Sequence, residues 1–250
     1  LGGRKQTGTL PENPVFVKTI VTTELQRKVA EHYGAKVYDT LTGFKHIATV
    51  MRRLEANPDE GSYVMGDEES YGFLIGTEVR DKDAITAAVL TAEMALYHVT
   101  AGRTVLDRLN ELYREFGYYE EIQISRYFRG QSGNEIMAGL MKRLRDEKPS
   151  QVGGVAVEIV RDFKAQTTTW VKRGESRQDI ELPVSNVLQF VLEDETVVSA
   201  RPSGTEPKIK FYASVSSEPG TPLDQARASV HRQLEAIEAW VEEQIAAAER

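Results

Sequence analysis

Between residues 15 and 65 the chain alternates β-branched runs with stretches of helical periodicity, and that alternation commits it to a parallel sheet with crossover helices. Residues 15–21 read as a buried strand. Thr22 or Thr23 then caps a helix in which Leu25, Val29 and Tyr33 recur at helical spacing, and Gly34 stops it. A strand over 36–41 follows, then a helix over 44–55 with Ile47, Val50, Met51 and Leu54 on one face, ended by Asn57-Pro58. A short strand over 63–65 places a turn starting at Gly66 at a strand's carboxyl end, where open α/β sheets bind ligands. Two further helices are predicted, over 83–100 with Ile85, Val89, Ala92, Leu96 and Val99 inward, and over 104–116.

Beyond that point the pattern changes class. Residues 118–128 are aromatic and β-branched, and Arg129-Gly130-Gln131-Ser132-Gly133 interrupts them without an apolar residue, which predicts a hinge over 129–133. One helix over 134–147 precedes strands over 155–160, 167–171, 187–192, 197–200 and 209–215. A closing helix follows, with Thr221 as its cap, Pro222 at its first position and Leu223, Ala226, Val230, Leu234, Ile237, Val241 and Ile245 on its buried face. The fold class expected is therefore α/β followed by α+β. A first domain over 15–128 has a mixed or parallel sheet with helices on both faces, and a second over 134–250 has an antiparallel sheet with helices on one side. Residues 1–14, with three Gly and two Pro, read as a linker or a disordered start, and a chain opening on Leu1 rather than Met reads as cut from a longer polypeptide.

Charge and composition narrow the partners. A net charge of −7 speaks against broad attachment to nucleic acid or anionic lipid, and no apolar run approaches the length of a membrane helix. Zero cysteines remove disulfides, thiolate metal sites and thiol nucleophiles together, in keeping with a cytoplasmic protein.

Two loops carry chemistry. In Arg201-Pro202-Ser203-Gly204-Thr205-Glu206-Pro207-Lys208, followed by Lys210, a bidentate cation, two hydroxyls and a glycine suit a phosphate dianion. Arg201 with Lys208 or Lys210 supplies charge, Ser203 and Thr205 supply hydroxyls, and Gly204 permits close backbone approach. The same composition also describes an ordinary turn between strands. In Gly66-Asp67-Glu68-Glu69-Ser70-Tyr71-Gly72, the Glu68 carboxylate and the Ser70 hydroxyl, two residues apart, suit the paired hydroxyls of a sugar ring. A solvated acidic turn has the same letters.

Both strings resemble loops of the α-D-phosphohexomutase family, which includes phosphoglucomutase and phosphomannomutase. The first is similar, nearly residue for residue, to the phosphate-binding loop of that family's last domain, and the second to the Glu-x-Ser sugar loop of its third. The resemblance implies that Arg201, Ser203, Gly204 and Thr205 hold the sugar phosphate that is not reacting, with Lys208 and Lys210 beside them. It implies that Glu68 and Ser70 contact the ring; the Glu-Glu-Ser form is more similar to the glucose enzymes, with mannose left open. Thr42-Gly43-Phe44-Lys45 resembles the family's Thr-Gly turn beside the sugar, which adds Thr42, Gly43 and Lys45 as substrate contacts. Arg80-Asp81-Lys82-Asp83 resembles its Lys-Asp turn at the reacting end, where Lys82, at a helix start, suits a phosphoryl group in transfer. Asp81 or Asp83 reads equally as an N-cap.

The family interconverts hexose 1-phosphate and hexose 6-phosphate through a bisphosphate such as glucose 1,6-bisphosphate, using a phosphoserine loop on its first domain and a magnesium loop on its second. This sequence has no Ser-His pair and no Asp-Gly pair, the marks of those loops. The resemblance thus implies the carboxyl-terminal half of an isomerase: third and fourth domains, the latter resembling half a TATA-binding protein, with no metal of its own. Its expected partners are a hexose phosphate and the missing amino-terminal domains, and it is expected to be inactive alone. A stand-alone, non-catalytic phosphosugar-binding module is the alternative.

Overall fold

The computed structural model describes residues 1–128, 132–204 and 206–250, and the chain divides into two compact units, Leu1–Gly117 and Tyr118–Arg250. The first unit contains, in order, α1 (Gly2–Gln6), β1 (Pro14–Thr19), α2 (Glu24–His32), β2 (Lys36–Thr40), α3 (Phe44–Ala56), β3 (Ser62–Glu68), β4 (Gly72–Ile75), α4 (Ala84–Thr100) and α5 (Val105–Phe116). Its sheet has the order β2-β1-β3-β4, parallel except for the β3–β4 hairpin.

Every residue of β1 is buried because the strand is covered on both sides. Val15 and Val17 pack with Phe44, Ile47, Met51 and Leu54 of α3, while Phe16 packs with Ala30 of α2 and Ala35. The chain leaves β1 towards β2 on one side and returns to β3 on the other. The crevice at the carboxyl ends of β1 and β3 is therefore the switch point at which such sheets take ligands.

Three expectations are corrected here. Residues 2–6 are helical, not a linker, and Leu1 packs against the Phe16–Ala30–Ala35 cluster: an apolar side chain with a niche orders what the glycines leave free. The turn does not start at Gly66; β3 continues to Glu68, with Gly66 opposite Val17 and Asp67 opposite Lys18, because pairing with β1 overrides the turn preference of Gly and Asp. Residues 83–100 do form a helix, capped by Asp83, which accepts from the N–H groups of Ile85 and Thr86. Its expected inward residues are exposed, however: Ile85 is 79% exposed, Leu96 65% and Val99 67%. α4 is apolar on every side, so its sequence selects no face, and within its unit it packs mainly against β4 and α5.

The second unit contains β5 (Tyr119–Tyr127), α6 (Gly133–Glu147), β6 (Gln151–Val152), β7 (Val155–Asp162), β8 (Thr167–Trp170), β9 (Glu175–Arg177), β10 (Leu188–Leu192), β11 (Val197–Pro202), β12 (Lys208–Ser216) and α7 (Leu223–Ala248). The sheet is antiparallel throughout, ordered β5-β12-β11-β10-β7-β8-β9, with β6 beside β7. α6 and α7 share one core with it, in which Leu140, Leu144, Leu234, Ile237 and Val241 meet Leu188, Phe190, Val198, Ile209 and Phe211.

β5 was expected in the first domain, yet it pairs along its whole length with β12, Tyr119 opposite Ser216 and Tyr127 opposite Lys208. Without it β12 would be a bare edge, and alternation along 119–127 identifies a strand without identifying its partner. Of the predicted hinge, Arg129, Gly130 and Gln131 lie outside the described residues; Gly133 is the first residue of α6, one position earlier than expected. Pro222, not Thr221, occupies the cap position of α7, since the Thr221 hydroxyl donates back to Glu218 O. Among the described residues no single helix is long and apolar enough to cross a membrane; α4 and α5 reach that length only together, across an 88° bend.

Candidate functional site

Gly43, Glu68 and Lys82, from three of the loops singled out in the sequence, come together at the carboxyl edge of the first sheet. β3 delivers Glu68 with only 11% of its side chain exposed, and both carboxylate oxygens are engaged. Oε2 accepts the N–H of Gly43, at the start of α3, at 2.9 Å, and Oε1 lies 3.3 Å from Lys82 Nζ. Gly43 has φ of 110°, which only glycine adopts readily, so the turn that aims its N–H at Glu68 depends on the missing side chain. Lys82 Nζ also lies 3.0 Å from Asp81 Oδ1 and over the Phe44 ring at 5.2 Å. Asp81 first, and Glu68 after it, hold the Lys82 ammonium above the ordinary lysine range. The result is a carboxylate held between a backbone donor and a cation, with its orientation fixed before any ligand arrives.

The hairpin after Glu68 is tight. Tyr71 has φ of 54°, and a β-carbon on Gly72 would fall 2.2 Å from Glu68 Cγ and 3.0 Å from that residue's N and O. The Ser70 hydroxyl donates to Glu69 Oε1 at 3.5 Å, and Glu69 Oε2 accepts from Thr19 Oγ1 at 3.3 Å, so the turn is tied across to the end of β1. Among the described residues Thr42 and Lys45 make no side-chain hydrogen bond or ion pair with Glu68 or Lys82, although both flank Gly43.

Beneath this edge lies a polar cluster that the sequence reading missed. Lys18 is fully buried in β1, its ammonium 2.7 Å from Glu24 Oε1 and 3.2 Å from Asp39 Oδ1, with the carbonyls of Thr22 and Thr19 at 3.1 and 3.3 Å. Burial opposes ionisation of Glu24, but Lys18 and then Arg27 outweigh it and hold the carboxyl below its ordinary value. Asp67, opposite Lys18 in register, accepts at Oδ2 from Gln26 Nε2 on α2. Burial, offset only in part by Gln26 and Lys18, pushes Asp67 up to about 7. The signal for this cluster was a lysine inside an otherwise apolar strand.

The phosphate-loop residues lie in the second unit. Arg201 and Pro202 end β11, Lys208 and Lys210 begin β12, and Arg201 stands opposite Lys210, which places the two on one face of the sheet. Lys210 Nζ donates to Gln123 Oε1 at 3.0 Å and Lys208 Nζ to the Tyr127 hydroxyl at 2.9 Å. Among the described residues no carboxylate pairs with Arg201, Lys208 or Lys210. The turn between them differs from a ring of free amides. The N–H of Ser203 goes to Lys208 O at 2.7 Å, that of Lys208 to Glu206 O at 2.7 Å, and that of Glu206 to Ser203 Oγ at 3.3 Å. A β-carbon on Gly204 would meet nothing within 4 Å, so space lies open above it. Thr205 lies outside the described residues.

Among the described residues no group of three or more His, Cys, Asp or Glu side chains is placed to hold a metal ion.

An α/β unit covered on both faces, followed by a one-sided antiparallel sheet, with a carboxylate–lysine cluster on the first and, among the described residues, cations without carboxylate partners on the second, defines a two-unit α/β protein with polar strand-end sites. Residues 3–116 match the family model described as phosphoglucomutase/phosphomannomutase, alpha/beta/alpha domain III. The chain is 36% identical over 207 residues to the phosphoglucomutase of Staphylococcus haemolyticus, covering 83% of this chain and 37% of that protein. It is likewise 36% identical over 214 residues to the Staphylococcus epidermidis phosphoglucomutase, covering 86% of this chain and 38% of the relative. Its fold is similar to the open form of the exocytosis-sensitive phosphoprotein pp63/parafusin, a phosphoglucomutase from Paramecium, with a TM-score of 0.61 at 18% identity, over 93% of this chain and 38% of that one. The chain belongs to the phosphoglucomutase/phosphomannomutase family, and it spans a little over a third of the length of these curated relatives.

Proposed function

We propose that this chain is the sugar-recognising and phosphate-holding portion of a phosphoglucomutase-type phosphohexomutase, comprising the family's third and fourth domains and catalysing no turnover by itself. The observation that carries this reading is the Glu68 carboxylate fixed between the Gly43 N–H and the Lys82 ammonium at the sheet's switch point. A hexose offers that carboxylate two neighbouring hydroxyls, for which it accepts two hydrogen bonds, and Ser70 on the adjoining turn adds a third polar contact. Thr42 and Lys45 line the same edge. Lys82 stabilises charge on a phosphoryl group at the reacting end. Arg201, with Ser203, Gly204, Thr205, Lys208 and Lys210, anchors the phosphate at the other end.

In this reading the chain orients a hexose phosphate, glucose 1-phosphate or its bisphosphate first among them, while the nucleophile and the magnesium belong to other domains of the same cytoplasmic enzyme. Phosphoryl transfer rests on positioning and on charge at the moving group, so a chain with neither Ser-His nor Asp-Gly loop binds without turning over. The apolar α4, open along Ile85, Leu96 and Val99, supports a place within a longer polypeptide whose amino-terminal domains cover it. A coupled assay with glucose 1-phosphate, magnesium and glucose 1,6-bisphosphate tests the inactivity: steady turnover by this chain alone refutes it.

A further inference from the structure

Asp67 is 2% exposed and adjoins Glu68, yet the sugar site makes no use of it. Its environment is defined from every side. β1 presents Lys18 directly opposite, itself paired with Glu24 of α2 and Asp39 of β2, which Arg27 bridges; α2 presents Gln26; β3 contributes Tyr63 and Glu68, and the turn after it Glu69. The Lys18 ammonium, on the residue opposite Asp67, is claimed by Glu24 and Asp39. Asp67 therefore keeps a single hydrogen bond, from Gln26 Nε2 to Oδ2. Two oxygens are left over, Asp67 Oδ1 and Gln26 Oε1, both buried and both without a hydrogen-bond partner among the described residues. They belong to the two residues that already share one hydrogen bond.

A buried acceptor without a donor is costly, and where the two acceptors belong to one hydrogen-bonded pair of side chains a single added proton can satisfy both. A carboxylic acid and a primary amide supply it by forming a closed ring. The amide N–H donates to one acid oxygen, and the other acid oxygen, protonated, donates back to the amide carbonyl. We propose that Asp67 is carried as the neutral acid in this two-point pair with Gln26, and that the pair is a positioning device that ties α2 to the end of β3 and so sets the orientation of Glu68. Loss of the proton leaves Oδ1 facing Gln26 Oε1 with no hydrogen between them, and adds a negative charge beside Glu68 and Glu69. The β3 end then loosens from α2. This places a one-proton control on the sugar loop, with weaker ligand binding on the alkaline side of neutrality; the effect on the ligand rests on the sugar-site reading above, whereas the acid–amide pair does not.

Asparagine at 67 mimics the protonated acid at every pH, since its own amide completes the same ring with Gln26. Side-chain carboxyl carbons of the whole chain, followed by NMR from roughly pH 5 to 9, read the pair directly. One aspartate carboxyl is expected to titrate near neutrality, to vanish in Asp67→Asn, and to move the Gln26 side-chain amide signals with the same midpoint. Titration of Asp67 in the ordinary carboxylate range, or a Gln26 amide that ignores it, overturns the pair. Calorimetric titration with glucose 1,6-bisphosphate over the same range reads the positioning role. The wild-type chain loses affinity several-fold relative to Asp67→Asn as pH crosses neutrality, the phosphate's own ionisation being common to both. Parallel curves overturn that role. Absence of binding by either protein at any pH removes the sugar site and the positioning role with it, while the carboxyl titration still decides the pair.

Discussion

Lys82, just ahead of α4, reaches back to lie 3.3 Å from Glu68 at the end of β3. The contact joins two segments whose sequences resemble separate loops of the mutase family, and it fixes the carboxylate's second oxygen while Gly43 fixes the first. Glu68→Gln keeps an acceptor for the Gly43 N–H and is expected to fold normally, but it loses the charge that, in the proposed reading, draws sugar hydroxyls. Hexose phosphate affinity should fall about tenfold, roughly 1.4 kcal/mol, read by titration calorimetry. Lys82→Met leaves a largely buried carboxylate without its cation. Because Lys82 itself is 38% exposed and solvent screens the pair, the expected loss of stability is only about 1 kcal/mol.

Gly72 tests how closely the hairpin binds Glu68. Alanine there puts a methyl group 2.2 Å from Glu68 Cγ and 3.0 Å from backbone atoms, which cannot step aside. Gly72→Ala should cost about 1–3 kcal/mol by overpacking, and its thermal midpoint should drop accordingly. Alanine at Gly204, where nothing stands within 4 Å, should leave the midpoint unchanged, and a similar drop at both positions would contradict this account of the hairpin.

Stability should carry the signature of Asp67. Its value in the folded chain, about 7, lies above the ordinary 3.8, so between those limits the folded chain keeps a proton that the unfolded chain has released. The cost of burying Asp67 is thus absent in acid, grows as pH rises through that interval and is constant above it. Asparagine escapes this cost. Asp67→Asn should match the wild-type stability near pH 4, within about 0.5 kcal/mol, and melt several degrees higher than wild type near pH 8. An equal difference at both pH values would contradict the assignment.

Much of this fold is legible in the letters. Val15, Phe16 and Val17 announce a strand buried on both faces, and Ile47, Met51 and Leu54 announce the helix that covers one of them, because burial there follows local periodicity. Glu68, Gly43 and Lys82 were picked out by motif, and the fold brings them to one point. What stayed hidden depends on partners distant in sequence. Gly66 and Asp67 look like turn residues until β1 pairs with them. β5 looks like part of the first domain until β12 claims it. α4, apolar all round, offers no periodicity from which to choose a face. Ser70 binds Glu69 instead of joining Glu68, since the turn geometry around Tyr71 is not written in the spacing.

In the proposed reading the phosphate anchor depends on Arg201. Its guanidinium has no carboxylate partner among the described residues, and it stands opposite Lys210 on one face. Arg201→Ala should weaken phosphosugar binding by about 1.5–3 kcal/mol, the range for hydrogen bonds to charged groups, with little effect on folding. Arg201→Lys should fall between, retaining the charge and losing the bidentate fork.

Calorimetric titration of the purified chain with glucose 1,6-bisphosphate, alongside Arg201→Ala and Glu68→Gln, tests the central claim most directly. Saturable one-to-one binding by the wild-type chain, weakened by each substitution while both variants melt like the parent, is the predicted result. Binding that neither substitution alters, or no binding at all, would contradict it.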